Sequence, residues 1–227
     1  MKKWLIATLV PLLLIAAAMG YAADQTAEEI LKAIVKVQAV IHEDAVTAQS
    51  LGTEREGNGI LIDSAGHILT IGYIILESKT IEVTWSDGQV SDAAFVGYDY
   101  DTGFGLLRVI QAKDIKPMKL GKSSALKAGE PALVAGHKGS DSVLGVRVAA
   151  RREFTGYWEY LLENAIYTIP AYQNYGGAAL IGSNGFLLGV GSLFTQINVP
   201  GVGTLPANLF VPIDLLKPIL DDLKTTE

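Results

Sequence analysis

The stretch of sequence that decides the fold is Gly57-Asn58-Gly59-Ile60-Leu61-Ile62-Asp63-Ser64-Ala65-Gly66-His67-Ile68-Leu69-Thr70. Two apolar runs flank the small, glycine-ended turn at 64–66. Apolar runs of strand length with such a turn between them are typical of a β-hairpin. The sequence therefore predicts antiparallel β structure, with 57–63 and 67–70 as neighbouring strands.

Short apolar segments separated by glycine or polar turns continue on both sides of this hairpin. They predict further strands at 34–41, 81–85, 106–110, 131–135, 143–149, 160–169, 178–181, 186–190 and 208–211. Another predicted strand follows the turn at 86–88 and ends at 96. The capping-box pair Thr26 and Glu29 predicts a short first helix, and apolar residues on one helical face predict a last helix at 214–223. Strands at this spacing, without long helical segments between them, favour a sandwich or closed barrels over βαβ units.

Composition excludes several kinds of chemistry. The 227 residues are 49% hydrophobic and 19% charged, which favours a packed core over disorder. The absence of cysteine excludes disulfides, a thiol nucleophile and zinc-thiolate sites. The net charge of −6 argues against nucleic-acid binding. The three histidines, His42, His67 and His137, are scattered without metal-ligand spacing, so we expect no metal and no cofactor.

The N-terminus predicts an export signal. Lys2 and Lys3 precede the apolar run 4–19, which ends in small residues, and we expect cleavage after Ala22. The alternative is an uncleaved membrane anchor, which the short length of the run and Pro11 disfavour. We therefore expect a periplasmic protein, in contact with the membrane only if this segment stays attached.

The order of several segments resembles the HtrA/DegP type of trypsin-like serine protease. The segments that carry the resemblance are 57–70, 80–88, 99–107, 120–136, 174–177, 185–190 and 210–212. The resemblance implies an all-β fold, a chymotrypsin/trypsin-like double antiparallel β-barrel with short N- and C-terminal helices. It divides 23–227 into a first barrel (33–112), a linker (113–121), a second barrel (122–212) and a C-terminal helix (213–227), after a signal peptide at 1–22. The PDZ domains usual in that family have no counterpart, and we expect none.

The same resemblance locates a catalytic triad whose residues this sequence lacks. Tyr73 stands at the histidine position, Gly103 at the aspartate position and Tyr175 at the serine position, while Gln173 replaces a glycine of the oxyanion hole. A serine protease needs a hydroxyl, an imidazole base and a carboxylate that orients it. A phenol with a pKa near 10 accepts a proton poorly at neutral pH. We therefore expect a degenerate, catalytically inactive member of the family.

Other side chains offer no obvious replacement for the triad. We expect all three histidines to lie in solvated loops, with His67 in the hairpin turn, and Ser183 to lie in a turn. Asp99 and Asp101 flank the lost aspartate, but a carboxylate without its imidazole orients nothing. The aromatic cluster at 157, 158 and 160 beside Arg151 and Arg152 has two interpretations, packing at a strand edge or a binding patch.

A candidate binding cleft remains between the barrels. Its residues are Tyr73, Gln173, Asn174, Tyr175, Gly176 and Gly177. We expect Tyr73 and Tyr175 to face each other, either plugging the cleft or forming an aromatic floor for a ligand.

Two functions follow as hypotheses. The first is a non-catalytic protein that binds a peptide or an envelope protein, in which oligomers are possible. The alternative is an active serine endopeptidase with a relocated triad, which requires a serine and a histidine within hydrogen-bonding distance. A purely structural subunit of an envelope assembly differs from the first only in its partner.

Overall fold

The computed structural model describes residues 25–111, 113–156 and 161–224. Within them the chain forms two six-stranded antiparallel barrels, which confirms the predicted all-β double barrel. The predicted signal peptide and the aromatic cluster at 157, 158 and 160 lie outside the described residues. No helix in the described part of the chain is both long and apolar enough to cross a bilayer.

The first barrel closes in the strand order β1-β2-β3-β6-β5-β4. Its strands are β1 (Ile34–Ile41), β2 (Glu54–Leu61), β3 (His67–Ile71), β4 (Ser78–Thr84), β5 (Val90–Tyr98) and β6 (Phe104–Val109). The predicted hairpin is confirmed, because Ile60 pairs with Leu69 and Leu61 with Ile68. The capping box also forms: Thr26 and Glu29 exchange side-chain and backbone hydrogen bonds at the start of α1 (Ala27–Lys32).

The second barrel closes in the order β10-β11-β12-β9-β8-β7. Its strands are β7 (Pro131–Ala135), β8 (Val143–Thr155), β9 (Leu161–Ile169), β10 (Ala179–Ile181), β11 (Leu187–Val199) and β12 (Gly203–Pro212). Strands β11 and β12 are much longer than the sequence predicted, and together they form a projecting hairpin. The prediction was too short because 191–199 mixes polar with apolar residues instead of forming a continuous apolar run.

Two further helices complete the fold. The short α2 (Ala48–Leu51), which the sequence did not predict, lies in the loop between β1 and β2. The predicted C-terminal helix forms as a single 3-10 turn, Ile213–Leu215, followed by α3 (Leu216–Lys224). Helix α3 returns to the first barrel so closely that a Cβ atom at Gly97 would lie 2.9 Å from Leu223.

One charged cluster ties α3 to the predicted hairpin. Lys224 Nζ lies 2.8 Å from Asp63 Oδ2, and His67 Nδ1 lies 2.8 Å from the same oxygen. The prediction that His67 is a solvated turn residue was wrong: it begins β3 and is only 6% exposed. The cause is local, because Asp63 also accepts the backbone N–H of His67 and thereby draws the imidazole inward.

Removing the charge of Asp63 should weaken this connection. Burial raises the pKa of Asp63, but the hydrogen bonds from Lys224 and His67 outweigh burial and hold the pKa below its ordinary value. A carboxyl group with a lowered pKa stabilises the fold above its unfolded-state pKa, and this contribution is lost as the pH falls through the folded-state value. We expect Asp63→Asn to lower the free energy of unfolding at pH 7 by about 1–2 kcal/mol, a discounted value because the carboxylate is partly exposed.

Urea unfolding of both proteins from pH 7 to pH 3 measures this effect. The difference between wild type and Asp63→Asn should shrink below about pH 4. Asp101→Asn, at an exposed aspartate without a hydrogen-bond partner among the described residues, is the matched control. A difference that does not change with pH would contradict the assignment.

Candidate functional site

The site lies where β2 of the first barrel meets the loop before β10 of the second. Asn58 is only 1% exposed and is central to this contact. Its backbone N–H donates to the carbonyl oxygen of Gly176 at 2.8 Å, and its side-chain Nδ2 donates to the carbonyls of Asn174 and Gly176 at 2.8 and 2.9 Å. Asn58 therefore binds the carbonyl groups on both sides of Tyr175.

His137 lies on the other side of the Asn58 amide. Its backbone N–H donates to Asn58 Oδ1 at 2.9 Å, and its ring Nδ1 lies 2.8 Å from the same oxygen. Because an amide oxygen can only accept, Nδ1 must carry the proton, which leaves only Nε2 as a possible base. Burial lowers the pKa of His137, the charge of Lys36 lowers it further and that of Glu56 partly opposes this.

The sequence prediction for His137 was therefore wrong in one respect. We expected a solvated loop, but the side chain is half-buried and connects through Asn58 to the loop that carries Tyr175. The feature of the sequence that relates to this contact is Gly136, the residue before His137. A Cβ atom at Gly136 would lie 2.5 Å from the Tyr172 hydroxyl and 2.9 Å from Asn58 Oδ1, so this loop passes close to both. His42, by contrast, is exposed after β1, as predicted.

Close backbone contacts surround Asn58. Gly177 has a φ of +72°, and a Cβ atom there would lie 1.9 Å from the carbonyl oxygen of Asn58. A Cβ atom at Gly191 would lie 2.0 Å from the carbonyl oxygen of Tyr175. No L side chain fits at either position, so both glycines are required for the barrels to approach this closely.

Tyr73, which the sequence analysis assigns to the histidine position, reaches across to the second barrel. It lies in a 3-10 turn, Gly72–Ile74, that follows β3. The buried Arg55 donates to its carbonyl oxygen at 2.7 Å and so fixes the turn. The Tyr73 hydroxyl donates to the carbonyl oxygen of Ser192 on β11 at 3.0 Å, and it would lie 2.8 Å from a Cβ atom at Gly176.

Tyr175 packs in another direction. Its ring centroid lies 6.3 Å from that of Phe194, a residue of β11 that is 45% exposed. Tyr73 therefore fills the gap between the barrels, and Tyr175 lies against the projecting hairpin of the second barrel.

Gly103, which the sequence analysis assigns to the aspartate position, has a backbone conformation that favours glycine. Gly103 has a φ of +77°, its N–H donates to the carbonyl of Asp99, and its carbonyl accepts from Gly72, both at 2.8 Å. The Asp99 carboxylate accepts the backbone N–H and hydroxyl of Thr102, at 2.7 and 2.6 Å. Asp99 is thus engaged in its own turn, and Asp101 is exposed.

The loop at 173–175 has backbone N–H groups that are available to a ligand. Gln173 and Asn174 are exposed, and the N–H groups of Gln173 and Tyr175 donate no hydrogen bond within the described part of the chain. Ser183 lies in an exposed turn, as predicted. Among the described residues, no serine hydroxyl is hydrogen-bonded to a histidine.

The edge of β11 is open beside these residues. Up to Val190 the strand pairs with β10 on one side, but from Leu193 onward it pairs only with β12 among the described strands. One edge of the segment that carries Phe194 therefore has backbone groups available for another strand.

Comparison with known proteins agrees with this architecture. A model of the trypsin-like peptidase domain matches residues 57–190. The periplasmic serine endoprotease DegP of Salmonella typhimurium is 30% identical over 166 residues, which cover 71% of this chain and 34% of DegP. The chloroplastic protease Do-like 1 of Arabidopsis thaliana is 29% identical over 190 residues, which cover 81% of this chain and 43% of that protein.

A solved structure, an HtrA-type protease AlgW with a tripeptide, superimposes with a TM-score of 0.68 at 20% identity. The match covers 88% of this chain and 64% of AlgW, and it supports the fold. The matched part of the chain spans only about a third of the length of DegP and about two fifths of the length of Do-like 1.

Reversing the polarity of the Asn58 amide should separate the barrels. In Asn58→Asp, a buried carboxylate oxygen replaces the donor that faces the carbonyls of Asn174 and Gly176. The donors of His137 still serve one carboxylate oxygen, but the other oxygen is buried against two carbonyl acceptors. Because that oxygen is left without a donor, we expect the free energy of unfolding to fall by about 3 kcal/mol at pH 7.

Urea unfolding measures this loss, with Asn198→Asp on the exposed part of β11 as the control for the added charge. A loss below about 1 kcal/mol in Asn58→Asp would show that the amide does not hold the barrels together.

Proposed function

We propose that this chain, which belongs to the trypsin-like peptidase family, is a catalytically inactive member that binds an extended peptide or a protein partner in the cell envelope. The observation that carries the proposal is the position of Tyr73. Its phenol is hydrogen-bonded to Ser192 across the gap between the barrels, where the family's mechanism requires an imidazole base.

The remaining catalytic positions support inactivity. Gly103 has no side chain to orient a base, and Tyr175 presents a ring packed against Phe194 where a nucleophilic hydroxyl is needed. Losing triad members costs about 10⁴ to 10⁶ in rate. The Nδ1 proton of His137 is held by Asn58, and none of the described serines is hydrogen-bonded to this ring.

The open edge of β11 supports binding. Extended peptides add to an exposed strand edge through backbone hydrogen bonds, and neighbouring pockets select their side chains. Phe194 and Tyr175 form an aromatic surface at this edge, and the unpaired N–H groups of Gln173 and Tyr175 lie next to it. Relatives described as periplasmic support a location in the envelope.

The catalytic part of the proposal is tested with a fluorophosphonate probe and with casein. We expect neither labelling nor hydrolysis above the background of heat-denatured protein, because no base activates a serine. An active trypsin-like protease, assayed in parallel, is the positive control. Labelling at a serine identified by mass spectrometry, and abolished when that serine is changed to alanine, would establish the active alternative with a relocated triad.

The binding part is tested with fluorescent peptides from an unfolded protein such as casein. We expect Phe194→Ala to weaken binding about fivefold to tenfold in fluorescence anisotropy, because one aromatic contact is lost. Phe95→Ala is the matched control, since Phe95 is similarly exposed, at 42%, on β5 of the first barrel. Equal effects of the two substitutions would place peptide binding elsewhere.

A further inference from the structure

A large groove runs along the second barrel, mostly outside the site described above. Its volume is about 1020 Å³, at the upper end of the roughly 300–1,000 Å³ typical of ligand sites. Helix α1 forms one wall with Ile30 and Leu31, and the outward side chains of β7 and β8, including Leu133 and Val143, form the floor. Near Gln173 the groove approaches the cleft between the barrels.

The lining is almost entirely apolar. Of 24 lining residues, 16 are apolar, three are glycine, four are polar and uncharged, and one is charged. The four polar residues are Gln25, Gln173, Ser183 and Asn184. A ligand in this groove therefore meets few hydrogen-bonding side chains along its length.

The β7 part of the floor lacks free backbone groups, because β7 pairs with β8 on one side and with β10 on the other. Strand β8 pairs with β7 over 143–147 and with β9 only from Arg147 onward, so one edge of 143–146 has no partner among the described strands. A bound peptide carries one donor and one acceptor per residue, and these need partners when buried. An alkyl chain has no such requirement, so the part of the groove over β7 suits an alkyl chain better than a peptide.

Arg147 is the single charged residue of the lining, and it indicates which chemical group a ligand would place beside it. Its Nη1 donates to the carbonyl oxygen of Gly129 at 3.0 Å. No carboxylate among the described residues lies within ion-pairing distance of its guanidinium. A guanidinium binds carboxylates through paired N–H donors, so Arg147 complements an anionic head group.

From these observations we propose that the groove binds a long-chain fatty acid, with the alkyl chain over the β7–β8 floor and the carboxylate at Arg147. The groove adjoins the proposed peptide-binding edge of β11, because Gln173 and Phe194 belong to both. Gly145 and Arg147 line the groove but do not belong to that edge, so substitutions at these two residues test the groove alone.

Titration calorimetry with dodecanoate below its micellar concentration tests the proposal. We expect one molecule to bind per chain. Each buried methylene contributes about fourfold in affinity, so decanoate, which is two methylenes shorter, should bind about fifteenfold more weakly. Methyl dodecanoate, which lacks the charge, should also bind about tenfold more weakly.

Two substitutions locate the ligand. Gly145 lines the groove, has no left-handed φ, and a Cβ atom there meets nothing within 4 Å, so a larger side chain fits without disturbing the fold. We expect Gly145→Phe to fill the groove and reduce dodecanoate binding at least tenfold, and Gly145→Ala to leave it nearly unchanged. Arg147→Gln should reduce binding about tenfold, while Lys127→Gln, an equal charge change outside the lining, should not.

The proposal is overturned if dodecanoate does not bind, or if Gly145→Phe and Arg147→Gln bind it as tightly as wild type. It is also overturned if an apolar decapeptide displaces dodecanoate at equal concentration, because the groove would then be a peptide site. The anisotropy assay with casein peptides, repeated on Gly145→Phe, keeps the two proposals distinguishable. Unchanged peptide binding together with lost dodecanoate binding supports both.

Discussion

The contact between the barrels depends on the side chain of Asn58. Its amide hydrogen-bonds to two separate loops: Nδ2 donates to the carbonyls beside Tyr175, and Oδ1 accepts from His137. The two carbonyls fix the orientation of the amide, because only its nitrogen can face them. A buried amide that is satisfied in this way specifies one relative position of the barrels, whereas apolar packing alone tolerates small shifts. The geometry of the site therefore follows from one residue that is not part of a catalytic triad.

Backbone proximity follows from the same interaction. When β2 lies within hydrogen-bonding distance of Gly176, no space remains for side chains at Gly177 or at Gly191. Both glycines are needed for this close contact, and that requirement does not depend on which side chain stands at 175. Tyr73 adds a second connection to Ser192, and Arg55 fixes the turn that presents it. The gap between the barrels is thus spanned by hydrogen bonds that need no imidazole.

Much of the fold could be predicted from the sequence, since the hairpin at 57–70 and the short strands follow from apolar periodicity and turn residues. The long β11–β12 hairpin could not, because its polar residues alternate on an arm that is only partly covered. Segment order assigned Tyr73 to the histidine position, but it could not predict the hydrogen bond to Ser192, which is 119 residues away and connected by no local pattern. The burial of His137 was missed for the same reason, because its partner Asn58 is 79 residues away. The burial of His67 was missed for a different reason: its partner Asp63 is only four residues away, but turn residues alone did not indicate that this contact draws the imidazole inward.

The contact between the barrels and the proton transfer of a serine protease depend on different atoms of this fold. Either one can therefore be lost without the other. The scaffold needs the Asn58 amide, the backbone carbonyls of the 174–176 loop and glycines at points of close approach. Proton transfer needs the side chains at 73, 103 and 175. At Gly103 the φ of +77° lies in the left-handed region that favours glycine, so an aspartate there would be strained. At Tyr73 the phenol occupies space beside Gly176 that a serine–histidine contact would need. The open edge of β11 depends neither on the Asn58 contact nor on the side chains at 73, 103 and 175, because it follows from where β10 ends. The proposed peptide binding therefore does not require proton transfer.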